Sequence, residues 1–362
     1  MRPLKFGLFQ ATYSTHDMVE IGVQAEKHGF HSVMMGDHFL DLSGLVKIDP
    51  WTVLAAIGAK TKRIRLTTYV TDVLRTHPTK VAHIAATLDE LTNGRVSVGL
   101  GAGEAMNLVP FGIGLEPPET RLERLREGIQ VIKALWSSSK SKRVNFQGKF
   151  YRLRDAWMQQ QPAQKLGPPI LIGALGASRM LRLIGEIGDG WVPAYSSLEL
   201  FEKRVRVIKE AAVSNGRDPN SIEYTAPILG VMTKEQKTKK KALQAYKSLL
   251  LSLASKYIKR VGLPASVEVD PTYSYQQVIP GDKVVKDSEA LAMGIPDELV
   301  EKFLVIGGAE DLVEGVDHYR KAGATSIVFW DMVAEGLLNS IPVAVKNMRI
   351  FRENVASHFN QR

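Results

Sequence analysis

The chain has 362 residues, with 47 Lys and Arg against 38 Asp and Glu, a formal charge of +9. At 44% hydrophobic and 23% charged it carries ample apolar material for a packed core, which excludes a disordered chain. It has no cysteine, which excludes disulfides, thiolate nucleophiles, iron–sulfur clusters and cysteine-rich zinc sites together.

The first predicted strand, Leu4 to Phe9, follows Met1-Arg-Pro with no apolar run of the secretory kind. A helix from Asp17 to His28 stops at Gly29. The second strand is Ser32 to Gly36. The next helix, Pro50 to Thr61, has Asp49 as cap and Pro50 at its first position. The third strand is Ile64 to Val70, and the helix Pro78 to Leu91 ends at Asn93-Gly94. The fourth strand is Arg95 to Leu100. A long helix, Glu119 to Trp136, precedes the fifth strand, Pro169 to Gly173. The helix Ser178 to Ile187, the strand Gly190 to Pro193, the helix Leu198 to Ser214 and the strand Tyr224 to Val231 follow. A helix from Asp311 to Ala322 and the strand Ser326 to Trp330 complete the series.

These strands are continuous apolar runs, as expected of parallel strands buried on both faces. Eight of them alternating with helices predict a (β/α)8 TIM barrel, with a doubly wound open sheet as the second choice. The expected organisation is one domain over 1–362 with insertions at about 101–168 and 233–303, segments too long for simple connections. Much of the positive charge lies in Lys234 to Lys247, read as the solvated face of a helix, so no nucleic acid is expected. The longest apolar stretches, such as Ile170 to Ala174, are far too short to span a bilayer. With the missing cysteines, this predicts a cytoplasmic protein with no membrane partner.

In a parallel barrel the active site lies at the carboxyl ends of the strands. The second strand runs into Gly36-Asp37-His38-Phe39. His38 there can act as general acid or base, or be a buried histidine paired to a carbonyl. Asp37 can orient a ring or cap the turn. The fourth strand runs into Gly101-Ala-Gly103-Glu104. Glycines let a backbone approach a flat ring, and Glu104 can exchange a proton with a ring nitrogen or simply open a helix. The fifth runs into Gly173-Ala-Leu-Gly176-Ala177-Ser-Arg179, either a phosphate site at a helix start with Arg179 adding charge, or a plain turn. No G-x-G-x-x-G, Walker or H-E-x-x-H motif occurs, so no metal is expected.

The order and spacing of several short motifs carry a resemblance. They are Gly29-Phe30, Gly36-Asp37-His38-Phe39, Asn93-Gly94-Arg95, Gly101 to Asn107, Gly188-Asp189-Gly190-Trp191 and Gly307-Gly308-Ala309-Glu310-Asp311. The whole chain resembles the bacterial-luciferase-like superfamily of barrels, in the branch that uses coenzyme F420. Within that branch it is similar to the F420-dependent glucose-6-phosphate dehydrogenases, secondary alcohol dehydrogenases and phthiodiolone ketoreductases, and more distantly to methylenetetrahydromethanopterin reductase. The resemblance implies His38 and Glu104 as catalytic residues. It implies cofactor contacts at Asp37, Tyr69, Val70, Gly103, Asn107, Gly176 and Ala177, with a cis peptide at Tyr69-Val70 behind the deazaflavin ring. Leu42 stands where the dehydrogenases have a tryptophan. Ala194-Tyr195-Ser196-Ser197 stands where the sugar-phosphate enzyme has threonine and lysine, so glucose 6-phosphate is not the expected substrate.

The implied function is hydride transfer between the deazaflavin C5 and a small-molecule substrate, of the carbonyl/alcohol or methylene-tetrahydropterin type, by a homodimer. His38 and Glu104 are expected to converge on opposite sides of a cleft wide enough for a planar tricycle. The alternatives are an FMN-dependent monooxygenase on the same barrel and a non-catalytic ligand-binding barrel.

Overall fold

A computed structural model describes residues 3–40, 47–194, 196–247, 277–279, 281, 290 and 292–360. Leu42, Tyr195 and most of the segment 233–303 lie outside the described residues.

Eight strands close into a parallel barrel: β1 (Lys5–Gln10), β2 (Ser32–Met35), β3 (Arg65–Thr68), β5 (Val96–Gly101), β8 (Ile170–Gly173), β9 (Gly190–Val192), β10 (Glu223–Met232) and β12 (Ser326–Asp331). Closure is made where Glu223 and Tyr224 of β10 meet Gly190 and Trp191 of β9, and where β12 lies between β10 and β1. The strands are apolar throughout because both faces are covered: Val33, Leu66, Val98, Ile172 and Trp191 are all fully buried. Each predicted strand is found. The third differs: the run breaks after Thr68 at a cis Tyr69–Val70 peptide, and Thr71–Asp72 forms a separate short strand, β4, beside β5. The resemblance placed a cis bond at this position.

All seven predicted helices are present. In α1 (Thr15–Lys27) the cap is Ser14, whose hydroxyl accepts from the Asp17 amide. In α2 (Pro50–Lys60) Asp49 accepts from the Thr52 amide at 2.7 Å, as the sequence predicts. α3 (Pro78–Leu91), α4 (Pro118–Trp136), α5 (Ser178–Ile187) and α6 (Leu198–Ser214) follow. The structure adds a hairpin, β6 (Val144–Gln147) with β7 (Arg152–Ala156), inside the first long connection. It also adds α7 (Asp297–Glu301) and β11 (Leu304–Gly307), which pairs with the outer half of β10. Helix α8 is Ala309–Lys321, and α9 (Ile341–Ile350) follows the last strand. The lysine-rich stretch is helical over 236–247. Lys239 and Lys247 pair there with Glu301 and Asp297 of α7, at 2.7 Å each. Among the described residues no helix is long and apolar enough to cross a membrane.

The turn after β12 is tied back to β1 by a buried carboxylate. Glu335 accepts the amides of Ala11 and Thr12 at 2.5 and 2.6 Å, and the Thr12 hydroxyl at 3.1 Å. Burial pushes its pKa up to about 7, and that of nearby Asp331 up to about 6. An acid whose pKa is raised by folding favours the folded state at low pH, where it is protonated in both states. That advantage is lost as pH rises through the folded value. Wild type should therefore lose stability relative to Glu335→Gln between about pH 4.5 and pH 7, by at most about 1.4 kcal/mol per pH unit while the carboxyl is ionised only in the unfolded chain. Melting curves of the two proteins across that range test it; parallel curves would refute it.

Candidate active site

The carboxyl ends of β2, β4, β5, β8 and β9 surround a solvent-open cleft of about 840 Å³. His38, Tyr69, Val70, Gly103, Glu104 and Ala177 line it, together with small residues such as Gly101, Ala102, Gly173, Ala174 and Ala194. The glycines are required. A Cβ built on Gly101 or Gly173 would lie 2.8 or 3.0 Å from the Val70 side chain, so β5 and β8 leave a smooth floor into which Val70 fits. The Tyr69 hydroxyl donates to the Pro193 carbonyl, joining the ends of β3 and β9 across the barrel mouth.

His38 Nδ1 lies 3.2 Å from Glu104 Oε1. The sequence brings the two residues to one cleft, but their expected placement on opposite sides is corrected: they touch on the same side. Glu104 is not spent on a helix start, since it makes no side-chain cap to the short turn Ala105–Asn107 that it opens. Its Oε1 instead receives Asn107 Nδ2 at 2.8 Å, and the same nitrogen lies 2.8 Å from His38 Nδ1. Asn107 Oδ1 accepts the amides of Phe39 and Leu40. Asn107 is fully buried and is not among the residues that line the cleft.

Asp37 is likewise engaged elsewhere. It pairs with Arg75 at 3.3 Å, while Arg75 also donates to the Asp37 carbonyl at 2.7 Å and to Asp72 at 2.5 Å. Burial pushes the Asp37 carboxyl up, and Arg75 pulls it back. Arg75 therefore braces the turn that carries His38, and its guanidinium lies 4.8 Å over the Phe39 ring. Arg121 does the same for the second turn, donating to the carbonyls of Ala102 and Gly103 from a buried position on α4.

At the β8 turn, Gly176 sits at φ +116°, and a Cβ there would meet Arg204 Nε at 2.5 Å. Burial pushes this guanidinium down to about 10. Arg204 donates to Ser196 Oγ at 3.0 Å. The sequence pattern puts Arg179 at this turn. Arg179 is exposed and pairs with Glu119 instead, so the cation beside Gly176 is Arg204. A usable signal existed for both missed arginines. Arg121 shares a helix face with buried Leu125, Gly128 and Ile132, and Arg204 with buried Phe201, Ile208 and Ala211. A charge on an apolar stripe marks a buried polar contact.

Comparison with known proteins follows the same lines. The profile of a family described as luciferase-like monooxygenase matches residues 5–326. An F420-dependent glucose-6-phosphate dehydrogenase from Nocardia farcinica is 30% identical over 325 residues, covering 88% of each chain. Among solved structures, an F420-dependent secondary alcohol dehydrogenase, determined with an F420-acetone adduct, superposes with a TM-score of 0.80 at 23% identity over 98% of both chains. The coenzyme F420 dependent tetrahydromethanopterin reductase from Methanopyrus kandleri gives 0.79 at 21% identity over 99% of both. At these identities the structural likeness establishes the fold.

Proposed function

The chain belongs to the luciferase-like monooxygenase family, and from its likeness to F420-dependent relatives we propose that it is an oxidoreductase dependent on coenzyme F420. The observation that carries the site assignment is the His38–Glu104 contact at the edge of the smooth-floored cleft. The residues fit a planar tricycle: Val70, Gly101, Ala102, Gly173 and Ala174 give the cleft a floor of small side chains, on which Val70 packs against the two glycines. When bound, the deazaflavin supplies the carbon that gives or takes hydride. Tyr69, Val70, Gly103, Gly176 and Ala177 are assigned to its contact. His38 exchanges a proton with the substrate oxygen as carbonyl and alcohol interconvert, and Glu104 serves the proton of the coenzyme ring nitrogen. The protein orders the two reactants and excludes water around them. The substrate is a small molecule of the carbonyl/alcohol or methylene-tetrahydropterin type. A cytoplasmic homodimer belongs to the same proposal; light scattering of the purified protein checks the dimer.

Titration separates this reading from flavin chemistry on the same barrel. F420 should quench intrinsic fluorescence saturably and bind at least about tenfold more tightly than FMN, a difference of about 1.4 kcal/mol. Tighter binding of FMN would overturn the coenzyme assignment.

A further inference from the structure

We propose that Asn107 is a positioning residue that sets the tautomer of His38, holding the neutral ring with its proton on Nε2. The proposal deepens the reading above and rests on it where His38 is said to serve the substrate oxygen. The orientation of the amide follows from chemistry alone. The backbone N–H groups of Phe39 and Leu40 only donate, at 2.5 and 3.0 Å, so the atom that meets them is the amide oxygen. The amino end must then face His38 and Glu104. It has two hydrogens and two neighbours at 2.8 Å: Glu104 Oε1, which accepts, and His38 Nδ1. Nδ1 accepts as well, and a neutral imidazole that accepts at Nδ1 carries its proton at Nε2.

Burial makes this arrangement costly to undo. Asn107 is fully enclosed, and its oxygen and nitrogen each use two partners. Turning the amide over would set its nitrogen against two donors and its oxygen against a carboxylate. Protonating Nδ1 would set an N–H against the Asn107 N–H, though it would satisfy Glu104 Oε1 at 3.2 Å. Asn107 and Glu104 therefore act on the ring in opposite senses. Among the described residues, the other charges near the turn include Asp37, Arg75 and Asp72, held together as ion pairs, with Asp49 acting on Asp37 and Arg121 on Glu104. In this tautomer Nε2 is the ring's donor nitrogen, the form suited to polarising a carbonyl, on a residue that lines the cleft.

The tautomer is read by long-range proton–nitrogen correlation on protein labelled with nitrogen-15 histidine, near pH 8. His38 is identified by the signals lost in His38→Asn. Wild type should show His38 with Nε2 protonated and Nδ1 bare. Glu104→Gln should keep that pattern, because the amide and not the carboxylate sets it. Asn107→Asp keeps an oxygen for the Phe39 and Leu40 amides but offers the ring an acceptor. It should move the proton to Nδ1 and lower kcat/KM by about tenfold or more, with coenzyme Kd within about threefold. A wild-type His38 protonated at Nδ1, or a changed pattern in Glu104→Gln, overturns the proposal. The wild-type spectrum decides even if the Asn107 variant fails to fold. If the tautomers are as stated but His38→Asn turns over normally, the tautomer assignment stands and the catalytic role of His38 fails.

Discussion

Replacing His38 by alanine should cut turnover by about 10²–10⁴-fold, the usual worth of a positioned proton donor or acceptor, and leave coenzyme affinity within about threefold. The split between the two quantities is the informative part. His38 sits at the rim of the cleft on the turn after β2, whereas the floor is made by Val70, Gly101 and Gly173 on other strands. Loss of the imidazole removes none of that floor. Nor should it unfold the turn, because the Phe39 and Leu40 amides remain on Asn107, and Arg75 still holds the Asp37 carbonyl. Steady-state kinetics with an oxidised or reduced coenzyme pool, beside a fluorescence titration, give both numbers. Equal loss of turnover and of coenzyme binding would mean that His38 holds the coenzyme, and unchanged turnover would remove it from the reaction.

The barrel was legible because its signals are local and redundant. Continuous apolar runs bounded by helices read as parallel strands wherever they occur, and Asp49-Pro50 and Gly29 mark helix ends through short-range hydrogen bonds and left-handed backbone. The site was legible one level down. Placing His38 and Glu104 at strand ends brings them to one mouth whatever their rotamers. What periodicity does not encode is side-chain direction within that mouth. It is set by Asn107, three residues beyond Glu104 and 69 beyond His38, and by Gly103, whose φ of +74° turns the chain between β5 and Glu104. The reversal of the expected opposite-sided arrangement comes from those two residues. Arg179 misled for a related reason. Proximity in sequence put it at the Gly176 turn, yet its helix carries it outward to Glu119, while Arg204 reaches the turn from α6.

Removing the guanidinium of Arg75 should have the largest effect on stability. Its side chain is 6% exposed, and it neutralises Asp72 and Asp37, whose side chains are 6% and 13% exposed. Asp72 is further committed to the amides of Leu74 and Arg75, both at 2.8 Å, so it has no freedom to turn toward water. Arg75→Met would leave two buried carboxylates without a counter-charge, a change that costs about 3–5 kcal/mol. In the variant the Asp37 carboxyl, pushed up by burial, loses the cation that pulls it back and so gains a proton more readily when folded than when unfolded. Its stability should therefore fall as pH rises, so that the deficit against wild type is larger at about pH 8 than at about pH 5. Arg75→Lys should recover only part of the loss. One ammonium does not span Asp72, the Asp37 carboxylate and the Asp37 carbonyl as a planar guanidinium does. Because the same side chain braces the turn carrying His38, both variants should lose turnover beyond what their unfolded fraction explains. Denaturant melts at the two pH values, with kinetics at a temperature where the variant is folded, measure each part. An Arg75→Met protein that melts with wild type at the higher pH would show that the two aspartates reach solvent. The His38 turn would then be held by contacts such as those of Asn107 and not by Arg75.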